Sequence, residues 1–521
     1  MLTLTSTIQR TVRLYGDRIA ILDSERHFTW GQFTERVARA ATVLRSLGVE
    51  SGGRYGIICR NNFRNAELIH AGYWMGAVPV PINYRLAPLE IAYILDNAAC
   101  ELLVVEDVFV ELTKANELSP WLDRVLLVSS SKVDVSWPQY EALLEQAKRA
   151  AAHSSAEEDD ALLLYTAGTT GRAKGVRLSH RNIIANALQL GFELGVRSED
   201  VYLHIAPMFH SADLLATAYT LKGAAHAFLP KFSPPRVLEA VQTFGVTSTM
   251  MTPTMVIMTI QEQDLEAYDL SSLRQLIYGS SPMAAEWIKK MLERLQGVEI
   301  VQAYGLTETS PILTLLHIAE HMEAIESGQH AILKSAGRSI PAVDMKLVDT
   351  DDQEVVLGQP GEVIVRGPNV TKGYLKRPDA TEVAFRGGWF YTGDIGRMDE
   401  RGYLYLLDRK KDMIITGGEI VFSSEVEAVL YQHPGVHECA VISVPDETYG
   451  ESLLAAVVPV PGQTLSDQEL IVHCRGKIGG YKIPRRYVFL EALPKSAMDK
   501  VLKTELRQIY GDRAAIQPHG Y

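Results

Sequence analysis

Residues 161–180 read ALLLYTAGTTGRAKGVRLSH. The run Ala161–Leu164 has the apolar character of a buried strand. Within the ten residues from Thr166 to Gly175 come three glycines, Gly168, Gly171 and Gly175, and three hydroxyls, Thr166, Thr169 and Thr170. Arg172 and Lys174 follow the first two glycines. This is polyphosphate chemistry. Glycine lets backbone N–H groups approach phosphate oxygens, hydroxyls donate to them, and lysine supplies a point charge. A solvated turn is the plainer reading of a Gly/Thr cluster, but such a turn needs no Thr-Thr pair beside a lysine. The P-loop pattern does not fit either. Counted from Gly168, its second glycine falls on Ala173 and its Ser/Thr on Gly175.

Upstream, the chain alternates helix and strand patterns. Apolar residues at helical spacing run through WGQFTERVARAATVLRSLGV and stop at Gly48. YGIICRN, VPVPIN, ELLVVE and RVLLVSS read as strands, AELIHAGYWMGA and PLEIAYILDNA as helices. This order predicts a mainly parallel sheet covered by helices on both faces. The segment 147–160 reads as a surface connection, and Glu157–Asp160 as a solvated charge run.

Downstream, Ser179 is placed to cap a helix over RNIIANALQL. Further strand–helix units follow. VYLHIAPM leads to His210, LRQLIYG ends at Gly279, Ser280 and Ser281, and VEIVQAYG enters Leu306-Thr307-Glu308-Thr309. Glycines, hydroxyls and a carboxylate at strand ends match a nucleotide crevice at the carboxyl edge of an open sheet. His317-Ile318-Ala319-Glu320-His321 fits an inverted zinc-peptidase pattern. No third ligand is evident, and a surface helix end is the preferred reading. From about residue 331 short strands with turn residues predict a small β subdomain. Asp394 closes a strand there and suits ribose hydroxyls, or caps a turn. DRKKD, residues 408–412, breaks the pattern, and a separate α+β unit follows.

A chain of 521 residues is too long for one core, so at least two domains are expected. The net charge of −12, from 51 Lys+Arg against 63 Asp+Glu, argues against nucleic-acid or anionic-membrane partners. Cys59, Cys100, Cys439 and Cys474 form no CxxC and read as buried thiols of a reducing compartment. The first residues lack a signal-peptide core, and no apolar run is long enough for a membrane span. The expectation is a cytoplasmic protein.

Seven segments, in order, resemble the adenylate-forming superfamily over nearly the whole chain. They are YTAGTTGRAKG, PMFH, YGSSP, QAYGLTE, YTGD, DRKKDMIITGGE and PKSAMDK. The resemblance implies a large N-terminal AMP-binding domain over 1–408, with a β-barrel subdomain over 331–408. A small mobile α+β domain over 409–521 would carry the catalytic lysine. It implies an acyl-CoA synthetase that uses ATP, Mg2+ and coenzyme A on a small carboxylic acid, a medium-chain fatty acid or an aryl acid such as a hydroxycinnamate. The oligomeric state stays open, with a homodimer one option.

The resemblance also implies residue roles. Thr166, Gly168, Thr169, Thr170, Gly171 and Lys174 would hold phosphates, and His210 would face the acyl group. Gly279, Ser280, Ser281, Ala303, Tyr304 and Gly305 would border adenine, with Tyr304 stacking on it. Thr307 would touch phosphate and Glu308 hold the metal. Asp394 would bind ribose and Arg409 the nucleotide. Lys411 would be the hinge, Gly417 and Gly418 would line the pantetheine path, and Lys500 would be the catalytic lysine. Three departures stand out: Asp499 for the tail-loop glycine, Ile415 for a lysine of some coumarate-type ligases, and Ser280-Ser281 for alanines. Three other readings remain. One is a stand-alone enzyme loading an acyl-carrier protein. Another is a luciferase-like oxygenase. The last is a nucleotide sensor, which would need neither Glu308 nor Lys500.

Overall fold

The computed structural model describes residues 2–129, 135–166, 172–328, 331–495 and 501–511. Contacts divide the chain into two compact units. The first comprises residues 1–345, 365–390 and 401–403; the second comprises 346–364, 391–400 and 404–521.

In the first unit the expected alternation produces two open sheets. Six parallel strands run in the order Glu299–Tyr304, Gln275–Gly279, Ser248–Met251, Val201–His204, Ala225–Phe228 and Ile19–Leu22. Antiparallel strands extend both ends to nine. A second, all-parallel sheet has the order Val78–Pro81, Arg54–Ile58, Leu102–Glu106 and Val125–Val128. The helix Trp30–Ser46 buries Trp30, Phe33, Val37, Ala41 and Leu44 along one stripe, where they join Ile57, Leu102 and Val104 of the second sheet. Most residues of the parallel strands are buried, as expected of strands with helices on both faces.

Asp160–Thr166 joins neither of these sheets. It forms an antiparallel hairpin with Lys174–Ser179, with Thr166 opposite Lys174. Ser179 then caps the helix His180–Glu193: its side chain accepts from Asn182 N–H, and Asn182 Oδ1 accepts from Ser179 N–H in return.

The acidic run is less solvated than its composition suggests. Asp160 pairs with Arg177 at 2.9 Å and with Lys372 at 2.9 Å. The peptidase-like pattern is also redistributed. His317 caps the helix Ile318–Glu326 rather than lying within it, and its Nε2 is 3.0 Å from Glu193. His321 is fully buried, not on a surface end, with Nε2 3.0 Å from the Tyr278 hydroxyl and Nδ1 2.8 Å from the His317 carbonyl.

The short strands between residues 344 and 409 pair as a five-stranded sheet. Its Trp389–Met398 and Leu404–Arg409 strands make the hairpin expected around GRMDERGYLY, with Met398 opposite Leu404. Later in the second unit, Val436–Asp446, Gly450–Pro459, Ile414–Thr416 and Glu419–Val421 form a mixed sheet with Arg486–Phe489. Val441, Val457, Leu430 and Leu470 pack its core with the helices Ser423–Leu430 and Asp467–Cys474.

Candidate active site

The glycine–threonine loop joins the two strands of the Asp160–Ser179 hairpin. Gly168, Thr169, Thr170 and Gly171 lie outside the described residues, as do Asp499 and Lys500. Both flanks of the loop are anchored. Tyr165 donates to Asn97 Oδ1 at 2.7 Å, and Tyr93 donates to the Ala173 carbonyl at 3.1 Å.

The segment 371–375 runs alongside the second hairpin strand, with Leu375 N–H donating to the Gly175 carbonyl at 2.8 Å. It brings in a residue that sequence reasoning missed. The Tyr374 hydroxyl donates to Glu308 Oε1 at 2.9 Å, and Lys174 Nζ lies 5.0 Å from the centre of the Tyr374 ring. Burial, and then the Glu308 carboxylate, push the Tyr374 phenol well above its ordinary range, so it stays a donor. Lys174, Tyr374 and Glu308 thus form one cluster in which the phenol separates cation from carboxylate. The Glu308 backbone carbonyl accepts from Thr371 N–H at 2.7 Å, which fixes that segment to the strand end.

Thr307 and Glu308 open a single turn, Thr307–Thr309, directly after the strand Glu299–Tyr304. The Thr307 and Ser211 hydroxyls are 3.1 Å apart, so the turn touches the segment that follows His210. His210 is half-buried and caps the short turn Ser211–Leu215, its Nδ1 accepting from Ala212 N–H at 3.2 Å. At the neighbouring strand end Gly279 lies opposite Ala303. A Cβ on Gly279 would meet the Ala303 carbonyl oxygen at 2.3 Å, and one on Gly305 would meet the Pro311 carbonyl oxygen at 1.9 Å. These glycines are required by neighbouring backbone, whatever else approaches them. Ser280 has φ +75°, a left-handed conformation rare for a side-chain-bearing residue, and it is exposed with Ser281. At the end of the strand Ser248–Met251, Met251 faces an apolar core cavity with Leu238 and Leu276. Strand alternation turns Met250 to the opposite face.

The remaining expected residues lie in the second unit. Asp394 is buried and pairs with Arg409 at 2.8 Å; the two are also cross-strand partners. Gly417 and Gly418 have φ +60° and +86° and connect Ile414–Thr416 to Glu419–Val421 with Thr416 opposite Glu419. That is a two-residue turn of the primed type, which demands positive φ at both positions.

These features belong together in one known family. The AMP-binding enzyme family matches residues 8–375, and the AMP-binding enzyme C-terminal domain matches 425–500. The chain is a member of the AMP-binding enzyme family. It is 35% identical to feruloyl-CoA synthase of Amycolatopsis over 507 residues, 96% of this chain and 98% of that one. It is 32% identical to 2-succinylbenzoate–CoA ligase of Bacillus cereus over 511 residues, 98% and 99% of the two chains. The ATP-bound MatB structure from Rhodopseudomonas palustris superposes with a TM-score of 0.87 at 29% identity, covering 98% and 99%. This AMP-binding enzyme is an acid–CoA ligase that works through an acyl-adenylate, with ATP, a carboxylic acid and coenzyme A as substrates. No helix among the described residues is long and apolar enough to cross a membrane.

Among those residues no three His, Cys, Asp or Glu side chains converge as a metal cage. Glu308 is a carboxylate linked through Tyr374 to Lys174 of the Asp160–Ser179 hairpin. That donor set fits Mg2+, which keeps waters and takes substrate phosphate oxygens beside one or two carboxylates.

Proposed function

We propose that this enzyme activates an aryl carboxylic acid, of the hydroxycinnamate type, in the cytoplasm. The observation that carries this reading is the full-length similarity to feruloyl-CoA synthase, followed by 2-succinylbenzoate–CoA ligase, both named for aryl acids. Met250 and Ile312, which we assign with His210 to the acyl pocket, are buried apolar side chains that suit a flat ring. The medium-chain fatty acid is the competing substrate. A pyrophosphate-release screen with ferulate, coumarate and octanoate separates them. Higher kcat/KM for the aryl acids is expected, and a preference for octanoate would overturn the assignment. Omitting coenzyme A should leave adenylate formation intact and stop thioester formation.

In the first half-reaction the carboxylate attacks the α-phosphorus and pyrophosphate leaves. The carboxylate is a weak nucleophile, so positioning and charge neutralisation dominate. Lys500 bridges carboxylate and α-phosphate oxygens. Lys174, Thr166 and the loop residues Gly168, Thr169, Thr170 and Gly171 hold the departing phosphates, and Thr307 contacts the nucleotide phosphate. Tyr304 stacks on adenine against Gly279, Ser280 and Ser281, while Asp394 and Arg409 hold the ribose side. Glu308 binds Mg2+, which neutralises phosphate charge when bound. Glu308→Gln should keep the fold, cut turnover steeply and raise the magnesium concentration needed; wild-type turnover at low magnesium would refute this role.

The second half-reaction requires residues beyond about 408 to reorient, with Lys411 as pivot and Gly417-Gly418 beside the thiol's path. The pattern of ion pairs supports that position. Lys410 pairs with Glu362 at 2.7 Å and Asp412 with Arg507 at 2.8 Å, so the chain changes partners on either side of Lys411.

A further inference from the structure

Four polar side chains meet next to the turn that follows His210, with Thr220, His204 and His226 buried and Asp213 largely so, and neither half-reaction uses them. His204 ends the strand Val201–His204, and His226 sits in the adjacent parallel strand Ala225–Phe228. His204 Nδ1 is 2.6 Å from Asp213 Oδ1, and its Nε2 is 3.0 Å from His226 Nδ1. His226 Nε2 is 3.1 Å from the Thr220 hydroxyl. Burial, with His204 and His70 beside it, holds the His226 imidazole well below its ordinary range, so it is neutral at pH 7. A carboxylate only accepts, so His204 presents Nδ1–H to Asp213. Thr220, His226, His204 and Asp213 thus form one continuous hydrogen-bonded chain. His70 is held near 4 by burial, and the Tyr73 phenol is raised by burial, so both stay uncharged near neutral pH.

Asp213 is the one charged side chain of the turn Ser211–Leu215. Its N–H donates to the His210 carbonyl at 3.1 Å. Asn61 fastens the approach to this turn, donating to the His204 and Ala206 carbonyls at 3.0 and 2.9 Å and accepting from Met208 N–H at 2.9 Å. The turn is therefore tied to the sheet on its entry side by Asn61 and at its centre by Asp213. What it presents between these ties is His210 and Ser211, with Ser211 reaching Thr307.

We propose that Asp213 and His204 are positioning residues for the acid: their pair fixes the turn that presents His210, and so sets acid affinity more than ATP affinity. This rests on the reading that His210 faces the acyl group. The test measures KM for the best acid of the screen and for ATP, with melting temperature, in Asp213→Asn, His204→Gln and His210→Ala. In Asp213→Asn the charged acceptor becomes a neutral carbonyl, which weakens the tie to His204. Acid KM should rise by about tenfold, the order set by weakening a hydrogen bond to a charged group, with a smaller rise in ATP KM through Ser211 and Thr307. His204→Gln should reproduce the split and serves if Asp213→Asn folds poorly. An unchanged acid KM in the folded variants, or a parallel rise for acid and ATP, rejects the positioning role. An unchanged acid KM in His210→Ala rejects the assignment of His210 itself and takes the proposal with it. A raised KM there beside an unchanged one in Asp213→Asn removes only the proposal.

Discussion

Replacing Tyr374 by phenylalanine removes one oxygen and leaves the ring. The ring keeps Lys174 at its face, worth about 0.5–1 kcal/mol where water still reaches it, while Glu308 loses a donor held at 2.9 Å. A hydrogen bond to a charged group contributes about 1.5–3 kcal/mol. Tyr374→Phe should therefore slow adenylate formation by about tenfold and raise the magnesium requirement, with melting temperature little changed; leucine should do worse, because it also frees Lys174 toward Glu308. Stopped-flow pyrophosphate release at graded magnesium checks both. At this scale the sequence was legible where function and local pattern coincide. Thr307 and Glu308 follow a strand and stand at its end, as read. Tyr374 was not legible because it meets Glu308 across 66 residues of chain, and Lys372-Gly373-Tyr374 looks like any turn. Gly279 and Gly305 were read for a ligand's approach, yet neighbouring carbonyls already forbid a Cβ at both.

Elements were predicted best where one face is apolar and a cap marks the start. The helices Pro88–Ala98 and His180–Glu193 fall where PLEIAYILDNA and Ser179 placed them. The pairing of Asp160–Thr166 was not predictable from its apolar run, since a buried strand reads alike in a hairpin and in a parallel sheet. Also invisible was the ionic cluster joining the helices Trp30–Ser46, Phe63–Met75 and Tyr140–Gln146. Arg36 holds Glu67 in a short pair and Glu141 at 3.1 Å, and Tyr140 donates to Glu67 at 2.8 Å. Burial raises the Glu67 carboxyl, and Arg36 and Tyr140 offset only some of that. Arg36→Met leaves this carboxylate buried without its cation and should cost about 3–5 kcal/mol. Arg36→Met/Glu67→Leu removes the orphan as well and should unfold at higher denaturant than Arg36→Met alone. A double variant no more stable than the single would show that the pair, rather than the stranded charge, carries the stability.

For the whole molecule the decisive question is whether the chain beyond Lys411 serves two half-reactions in turn. A proline at 411 fixes φ near −65° and removes the N–H. If Lys411 is the pivot, Lys411→Pro should form adenylate at a near-normal rate and fail to make thioester. Equal loss of both steps would reject the hinge. Rotation would have to break ties that span this point, among them Asp408 with the Ser423 hydroxyl at 2.7 Å and the Leu407 carbonyl with Ser424. Removing them in Ser423→Ala/Ser424→Ala should thus speed thioester formation, or leave it unchanged, and never slow it through the hinge. Lys500→Ala makes the complementary forecast. A positioned charge at a transferring phosphoryl group contributes several kcal/mol, so pyrophosphate release should fall by orders of magnitude. If the lysine serves adenylation alone, the same variant should still convert supplied acyl-adenylate to acyl-CoA. Asp499→Gly should change adenylation by a few-fold at most. A collapse of adenylation in that variant would mean that the aspartate, not the usual glycine geometry, now shapes the loop that delivers Lys500. The two half-reactions must then be assayed apart, since a summed assay would read a misplaced lysine and a locked hinge as the same defect.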